Sequence, residues 1–178
     1  MNYATEGVVL ARRNFSEADR IISVFTRNFG KLSVVAKGVR KPMSRKRGHL
    51  EVFSHIKFVA HQGKTLDLMT EVATIDSFTQ IRRSLKKVAV AYFVVEVISK
   101  ITREEAKNED LFELLLETLQ KLKTNQNLRA LREDFIYQAL VLAGFWPRGK
   151  AMDTPDKILE EVTERRIKSV RVGKKLLA

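Results

Sequence analysis

The chain has 178 residues, with 33 Lys plus Arg against 21 Asp plus Glu, a net charge of +12 and no cysteine. At ~100–200 residues per domain the length holds one domain or two small ones, and 44% hydrophobic with 30% charged residues is too apolar for a disordered chain. The missing cysteines exclude a disulfide framework, a cysteine-ligated zinc or iron–sulfur site and a thiol nucleophile. The longest unbroken apolar run, Val88 to Val95, is far short of the ~18 residues of a membrane span. The first residues, with Glu6 and only Val8–Ala11 as an apolar stretch before Arg12, do not make a signal peptide. A soluble, cytoplasmic protein with a basic surface is expected.

Glycine and proline divide the sequence unequally. Five of the eight glycines lie in the first 63 residues, whereas Lys64 to Ala143 contains neither Gly nor Pro. The pattern predicts short strands between turns first, then helices. The predicted strands are Thr5–Arg13, Asp19–Arg27, Lys31–Lys37, Leu50–His61 and Thr65–Ile75. Asn28-Phe29-Gly30 provides a turn tolerant of positive φ, and Gln62-Gly63-Lys64 a second turn. Five strands in so short a span suggest a small barrel, of which the OB-fold is the five-stranded example.

A helix is predicted to begin near Asp76 or Ser77, with Ile81, Leu85, Val88, Tyr92 and Val95 on one face. Val90, Val94, Val97 and Ile101 fill the other side, so this helix should be central and buried. Asn108 can cap a second helix over Leu111–Leu122, striped by Leu111, Leu114, Leu115, Thr118, Leu119 and Leu122. Leu128, Leu131, Phe135, Ala139 and Leu142 mark a third, stopped by Gly144 and Pro147. Thr154-Pro155 starts a fourth running to about Lys168. The expected fold class is α+β, an OB-fold barrel over residues 1–77 followed by a helical bundle over 78–178.

Charge is concentrated at the start. Residues 1–50 hold 11 basic residues (Arg12, Arg13, Arg20, Arg27, Lys31, Lys37, Arg40, Lys41, Arg45, Lys46, Arg47) and three acids (Glu6, Glu17, Asp19). That segment alone carries +8 of the net +12. Between Gly38 and Gly48 five of eleven residues are cationic and none is acidic. Self-repulsion should hold this stretch extended. It reads either as a solvated loop without a partner or as an arm that contacts phosphates, where neutralising each phosphate releases counterions. With no apolar face it does not fit a membrane surface. Phe15, between Arg12-Arg13 and Arg20 in the loop joining the first two strands, could stack on a base or be a core residue. For Phe53 and Phe58 the core is the expected place. Arg82-Arg83 with Lys86-Lys87 opens the first helix at i, i+4 spacing and could extend the basic face or be merely solvated.

Catalytic and metal motifs are missing. Gln62-Gly63-Lys64-Thr65 imitates the end of a P-loop, but Phe58 stands where that motif needs Gly, and no helix follows. His49, His55 and His61 are spaced by six, which along a strand is ~20 Å, too far for one metal. Glu104, Glu105, Glu109 and Asp110 are explained by helix N-termini, including a Thr102-x-x-Glu105 capping box. No enzyme and no cofactor is expected.

Taken in order, Glu6-Gly7-Val8-Val9-Leu10, Phe15-Ser16-Glu17-Ala18-Asp19-Arg20, Phe25-Thr26, Gly30-Lys31 and Val35-Ala36-Lys37-Gly38-Val39-Arg40 resemble the N-terminal domain of the bacterial recombination mediator RecO. Tyr92 through Glu96, Leu111 through Leu115, Phe135 through Gly144 with Pro147, and Arg166-Ile167-Lys168-Ser169 resemble the family's successive helices. Many members carry a cysteine-rich zinc segment after the Gly-x-x-Pro corresponding to Gly144–Pro147. This chain passes directly into Arg148–Asp153, so it resembles a complete, shortened member without zinc. The resemblance implies a non-enzymatic protein of recombinational repair that binds single- and double-stranded DNA and anneals complementary strands without ATP. The implied strands are coated by single-strand-binding protein (SSB), whose C-terminal tail is one partner; RecR is another, and RecA is helped to load indirectly. The tail pocket would lie in the helical part, where Arg129 and Arg132 beside Leu128 and Leu131 are candidates. The DNA-binding residues expected are Arg12, Arg13, Phe15, Arg20, Lys37, Arg40, Lys41, Arg45, Lys46, Arg47, Arg82 and Arg83. An RNA-binding or ribosome-associated OB protein, and an adaptor whose basic loop binds an acidic protein, are the rival readings.

Overall fold

The computed structural model describes residues 1–163. The end of the fourth predicted helix and Arg166–Ser169 lie outside the described residues. Two compact units are formed, residues 1–77 with Arg103–Glu109, and residues 78–102 with those from Asp110 onward.

The first unit is a closed five-stranded barrel. Its strands are β1 (Asn2–Phe15), β2 (Asp19–Thr26), β3 (Gly30–Ala36), β4 (His55–His61) and β5 (Asp67–Asp76). They follow one another around the barrel as β1-β2-β3-β5-β4, closing β4 onto β1, which is the OB-fold. Strand β1 is long enough to serve two partners: Asn2–Val8 pairs with β4, and Gly7–Phe15 pairs with β2. A bulge between Val9 and Ala11 bends the strand where it changes partner. Alternation then sends Val9, Ile22, Val24, Leu32, Val34, Ile56, Phe58 and Met69 into one core.

The fourth predicted strand is half right. His55–His61 is extended, but Leu50–Ser54 is a buried turn in which Phe53 takes a left-handed φ of 60°. The Phe53 N–H donates to Val9 O at 2.8 Å and the Val9 N–H donates to Ser54 O at 3.0 Å, so the turn ties into the β1 bulge. Phe53 and Phe58 are both in the core. Gln62 and Gly63 begin the connection between antiparallel β4 and β5, where the Gly63 N–H donates to Asp67 Oδ1 at 3.0 Å.

Of the acidic stretch after the first long helix, Glu109 and Asp110 open the next helix as expected, whereas Glu104 and Glu105 lie at no helix N-terminus. Thr102 ends the first long helix, its hydroxyl donating to Ile98 O at 2.6 Å, and no capping box forms with Glu105. Arg103–Glu109 instead packs on the barrel: Lys31 bridges Glu104 in parallel, and the Glu105 N–H donates to Lys31 O at 2.9 Å. Gly30, at φ +71°, makes this approach possible, because a Cβ there would lie 2.4 Å from Ala106 O.

The second unit contains α1 (Thr79–Arg82), α2 (Leu85–Ile101), α3 (Glu109–Thr124, whose first residue goes with the barrel), α4 (Leu128–Leu142) and α5 (Pro155–Thr163). The single helix expected from Ser77 is two. Phe78 is left-handed at φ 54°, Arg83 closes α1, and Ser84 starts α2 by accepting from the Lys87 N–H at 3.4 Å. Helix α2 packs against α1, α4 and α5. Its Val90, Val94, Val97 and Ile101 face is buried, whereas Leu85 and Tyr92 of the other predicted face are 71% and 45% exposed. Both faces are apolar, so periodicity alone could not choose between them. The α3 stripe is buried as expected. Asn127 caps α4 by accepting from the Ala130 N–H at 3.1 Å.

Substituting Gly30 by Ala should lower stability by about 2–4 kcal/mol, from a left-handed alanine plus the overlap with Ala106. Urea denaturation would read it as a lower midpoint at an unchanged slope.

Candidate nucleic-acid interface

The basic residues of the first unit gather where β1 turns into β2. The hairpin places Arg12 opposite Ile22, Arg13 opposite Ile21, Asn14 opposite Arg20 and Phe15 opposite Asp19. Phe15 is the last residue of β1 rather than a loop residue, and it is 46% exposed at the hairpin tip. The Arg20 Nε–H donates to Asn14 Oδ1 across the strands at 3.3 Å. Strand β3 ends beside it, with Ala36 opposite Arg20.

The Gly38–Gly48 segment is not extended. It folds as consecutive turns, with Ser44 N–H donating to Lys41 O at 3.0 Å, and enters one turn of 3-10 helix at Arg47–His49. Burial explains why repulsion does not straighten it. Val39 and Leu50, flanking most of the cations, are both fully buried in the barrel core. Polar ties add to them. Asp19 Oδ1 accepts from the Gly38 N–H at 2.8 Å, and the Arg40 N–H donates to Ala18 O at 3.0 Å. The Arg40 guanidinium donates to Glu17 O at 3.0 Å, and Lys46 Nζ to Met69 O at 2.9 Å. The Gly38 N–H, aided by Ser16, Lys37 and Lys41, holds the Asp19 carboxyl below its ordinary value, so it stays ionised as a staple.

This folding sorts the cations. Lys46 is spent on a backbone carbonyl. Arg12 pairs with Glu51 at 2.8 Å. Arg13, Lys37, Arg40, Lys41, Arg45 and Arg47 are exposed. Arg20 is the centre of the cluster: burial, then the charges of Arg12, Arg40 and Arg47, push its guanidinium below the ordinary value, and Glu51 acts the other way. The charges of Arg12, Arg40 and Arg47 thus all act on Arg20, with Glu51 countering them. Such a patch lowers its own repulsion by taking up anions.

Arg82 and Arg83 belong to the second unit and lie on and just after α1, whereas Lys86 and Lys87 lie on α2. The break at Ser84 therefore removes the continuous i, i+4 face expected of them. Lys87 Nζ donates to Lys123 O at 2.7 Å, capping the end of α3. Arg132 does not offer a free charge for an acidic tail. It is 6% exposed, ion-paired with Asp156, and 4.0 Å over the Phe93 ring. Arg129 is exposed and reaches Glu133 at 3.1 Å.

A second polar group, missed by sequence reasoning, lies on the barrel wall. Glu6 Oε1 accepts from Arg27 and Oε2 lies 2.8 Å from His55 Nε2. These residues are 21 and 49 positions from Glu6 in sequence, so only the strand register brings them together. His49 lies 2.7 Å from Thr74 Oγ1 and His61 2.6 Å from Asn2 Oδ1. Among the described residues no three His, Asp or Glu side chains form a metal-binding group. No helix among them is long and apolar enough to cross a membrane.

The family model described as Recombination protein O N terminal matches residues 1–78, and the one described as Recombination protein O C terminal matches residues 82–151. The chain belongs to the RecO family. Among RecO relatives, the DNA repair protein RecO of Roseiflexus sp. (strain RS-1) is 31% identical over 163 residues, 92% of this chain and 57% of that protein. Those of Pelotomaculum thermopropionicum and Dehalococcoides mccartyi (strain ATCC BAA-2266) are 32% and 34% identical, each across 82% of this chain and 56% and 58% of their own lengths. The chain thus spans somewhat over half the length of these RecO proteins. The N-terminal match coincides with the barrel that carries the arginine cluster.

Glu6 gives a pH dependence with a definite sign. Burial alone would raise its carboxyl, but hydrogen bonds from Arg27 and His55 outweigh it, so the folded value lies below the ordinary 4.5. The stabilisation is complete above 4.5 and is lost as pH falls through the lower folded value. Glu6→Gln should be less stable than the parent at neutral pH and show a shallower loss between about pH 5 and 3. Denaturation midpoints across that range check it.

Proposed function

We propose that this chain is a non-enzymatic mediator of recombinational DNA repair whose barrel holds DNA by its phosphates at the hairpin end. The gathering of exposed cations about Arg20 at the hairpin end, where the charges of Arg12, Arg40 and Arg47 reach it, carries this reading. Membership of the RecO family and the repair role in the names of its relatives support it. In this reading Arg13, Lys37, Lys41, Arg45 and Arg47 meet phosphates from solvent. Arg12 exchanges Glu51 for phosphate or shares itself between them. Arg20 and Arg40 keep the field positive while holding the hairpin and the turn in place. Phe15, exposed beside them, offers a stacking face to an unpaired base. Arg82 and Arg83 are a secondary phosphate contact from the helical unit.

Contact through phosphates is indifferent to sequence and strand number, which suits a protein that handles both single- and double-stranded DNA. Annealing requires two polyanions to approach. A cationic surface that neutralises part of each removes much of that barrier passively, without ATP. The reading extends to SSB-coated strands, with the SSB tail and RecR as partners, and to RecA loading as the consequence, in the bacterial cytoplasm where the nucleoid lies. Since Arg132 is internally committed, the tail would use other cations of the helical unit.

Replacing Arg13, Arg45 and Arg47 by Ala together leaves the anchors of the turn segment at Gly38, Arg40 and Lys46 intact. On a single-stranded oligonucleotide it should flatten the plot of log affinity against log salt by about 2, at ~0.7 per phosphate contact. The loss should be uniform across sequences. An unchanged slope would remove the hairpin end from the interface. Stronger binding of RNA than of single-stranded DNA of the same sequence would favour the RNA-binding reading.

A further inference from the structure

The other end of the barrel has the opposite character. Tyr3 lies nine residues before Arg12, about 30 Å along an extended strand. There the start of β1 and the β2–β3 turn frame a cleft of about 480 Å³ lined by Tyr3, Phe29, Leu32, Asp67, Glu105 and Lys107, among others. Its wall is aromatic: the Tyr3 and Phe29 rings are 5.0 Å apart and tilted by 59°, and Phe29 is 41% exposed. The Asp67 side chain is held in place, accepting from the Tyr3 hydroxyl at 2.6 Å and the Gly63 N–H at 3.0 Å. Glu105 is held at the cleft in a left-handed conformation, φ 58°, by its bond to Lys31 O. The Lys107 ammonium lies 3.7 Å from Glu109, so its charge is engaged outside the two carboxylates. Met1, at the mouth, is 88% exposed, where water screens its amino group.

The field at the centre of the cleft is negative. After burial and the Asp67 hydrogen bond, the charges of Asp67 and Glu105 raise the Tyr3 phenol above its ordinary value. A nucleobase could lie on Phe29, but its phosphates would meet two carboxylates. A planar cation fits both features at once: it stacks on an aromatic ring and forks to a carboxylate. We propose that this cleft receives an arginine side chain presented by a partner protein. Charge complementarity selects it, since the cleft brings the carboxylates of Asp67 and Glu105 to an aromatic wall. The site lies at the opposite end of β1 from the arginine cluster, so a partner held there leaves the hairpin end open.

The test is an amide-detected NMR titration of the full chain with an acetylated, amidated Gly-Ser-Arg-Ser-Gly peptide. Its citrulline counterpart, which keeps the shape and loses the charge, and a ten-residue oligothymidylate are the controls. The arginine peptide should shift the amides around Tyr3, Phe29 and Glu105. The citrulline peptide should bind at least about fivefold more weakly. Phe29→Ala and Glu105→Gln, both at exposed or partly exposed positions, should each weaken the arginine peptide at least about threefold. The oligothymidylate should leave these amides unmoved. Equal binding of the two peptides, shifts confined elsewhere, or movement of the same amides by oligothymidylate would overturn the proposal. The last result would make the cleft a base-stacking pocket. Because the peptide comparison uses the unaltered chain, it decides the matter even if a variant fails to fold.

Discussion

Arg12, Arg20, Arg40 and Arg47 repel one another, and nothing in their own chemistry brings them together. They are adjacent because the barrel makes them so. Arg12 and Arg20 sit on two strands whose register is fixed by the alternation of Val9, Ile22 and Val24 into the core, since a slip of one residue would turn that apolar set outward. Arg40 and Arg47 sit in a turn segment between Val39 and Leu50, both fully buried. Removing two such side chains from water is worth several times the repulsion between solvated charges. The cluster is therefore a charged surface held in place by hydrophobic burial, ready for anions before any arrive.

That arrangement also explains the division of labour among the cations. A segment so rich in Lys and Arg would spread out in water, and it stays folded because some of its members are used internally. Lys46 caps a strand carbonyl, Arg40 covers the hairpin-turn carbonyls, and Asp19 staples Gly38. The remainder face solvent with no comparable tie, and in the proposed function their number sets the salt dependence. At the far end of the same strand the carboxylates of Asp67 and Glu105 meet two aromatic rings, so the two proposed sites fall at opposite ends of one barrel.

Much of this was legible in the sequence. Glycine placement and alternation gave five strands, four of them near their observed bounds and the fourth too long by Leu50–Ser54, and the leucine stripe of α3 and the helix from Leu128 to Leu142 followed from spacing. The basic excess before residue 50 falls on the barrel unit, where strand register gathers its arginines. What escaped had physical reasons. Phe53 and Phe78 take left-handed conformations that bulky residues rarely adopt, so the turn before β4 and the start of α1 carried no Gly or Pro signal. Helix α2 is apolar on nearly every side, and its exposed Leu85 and Tyr92 could not be told from its buried valines. Arg103–Glu109 joins the barrel through backbone pairing with Lys31, which leaves no mark in side-chain pattern. The Glu6, Arg27 and His55 group exists only through strand register. Net charge marked the region of the arginine cluster but could not reveal that Lys46 is internally committed.

The proposed function requires that a passive cationic surface suffice for strand pairing. Its most direct test is the annealing rate of two labelled complementary oligonucleotides, naked and SSB-coated, measured in EDTA without nucleotide. The account predicts that this chain accelerates pairing and that the acceleration fades as salt rises, because the phosphates then regain their counterions. Absence of acceleration on either substrate, or acceleration that is insensitive to salt, would contradict it.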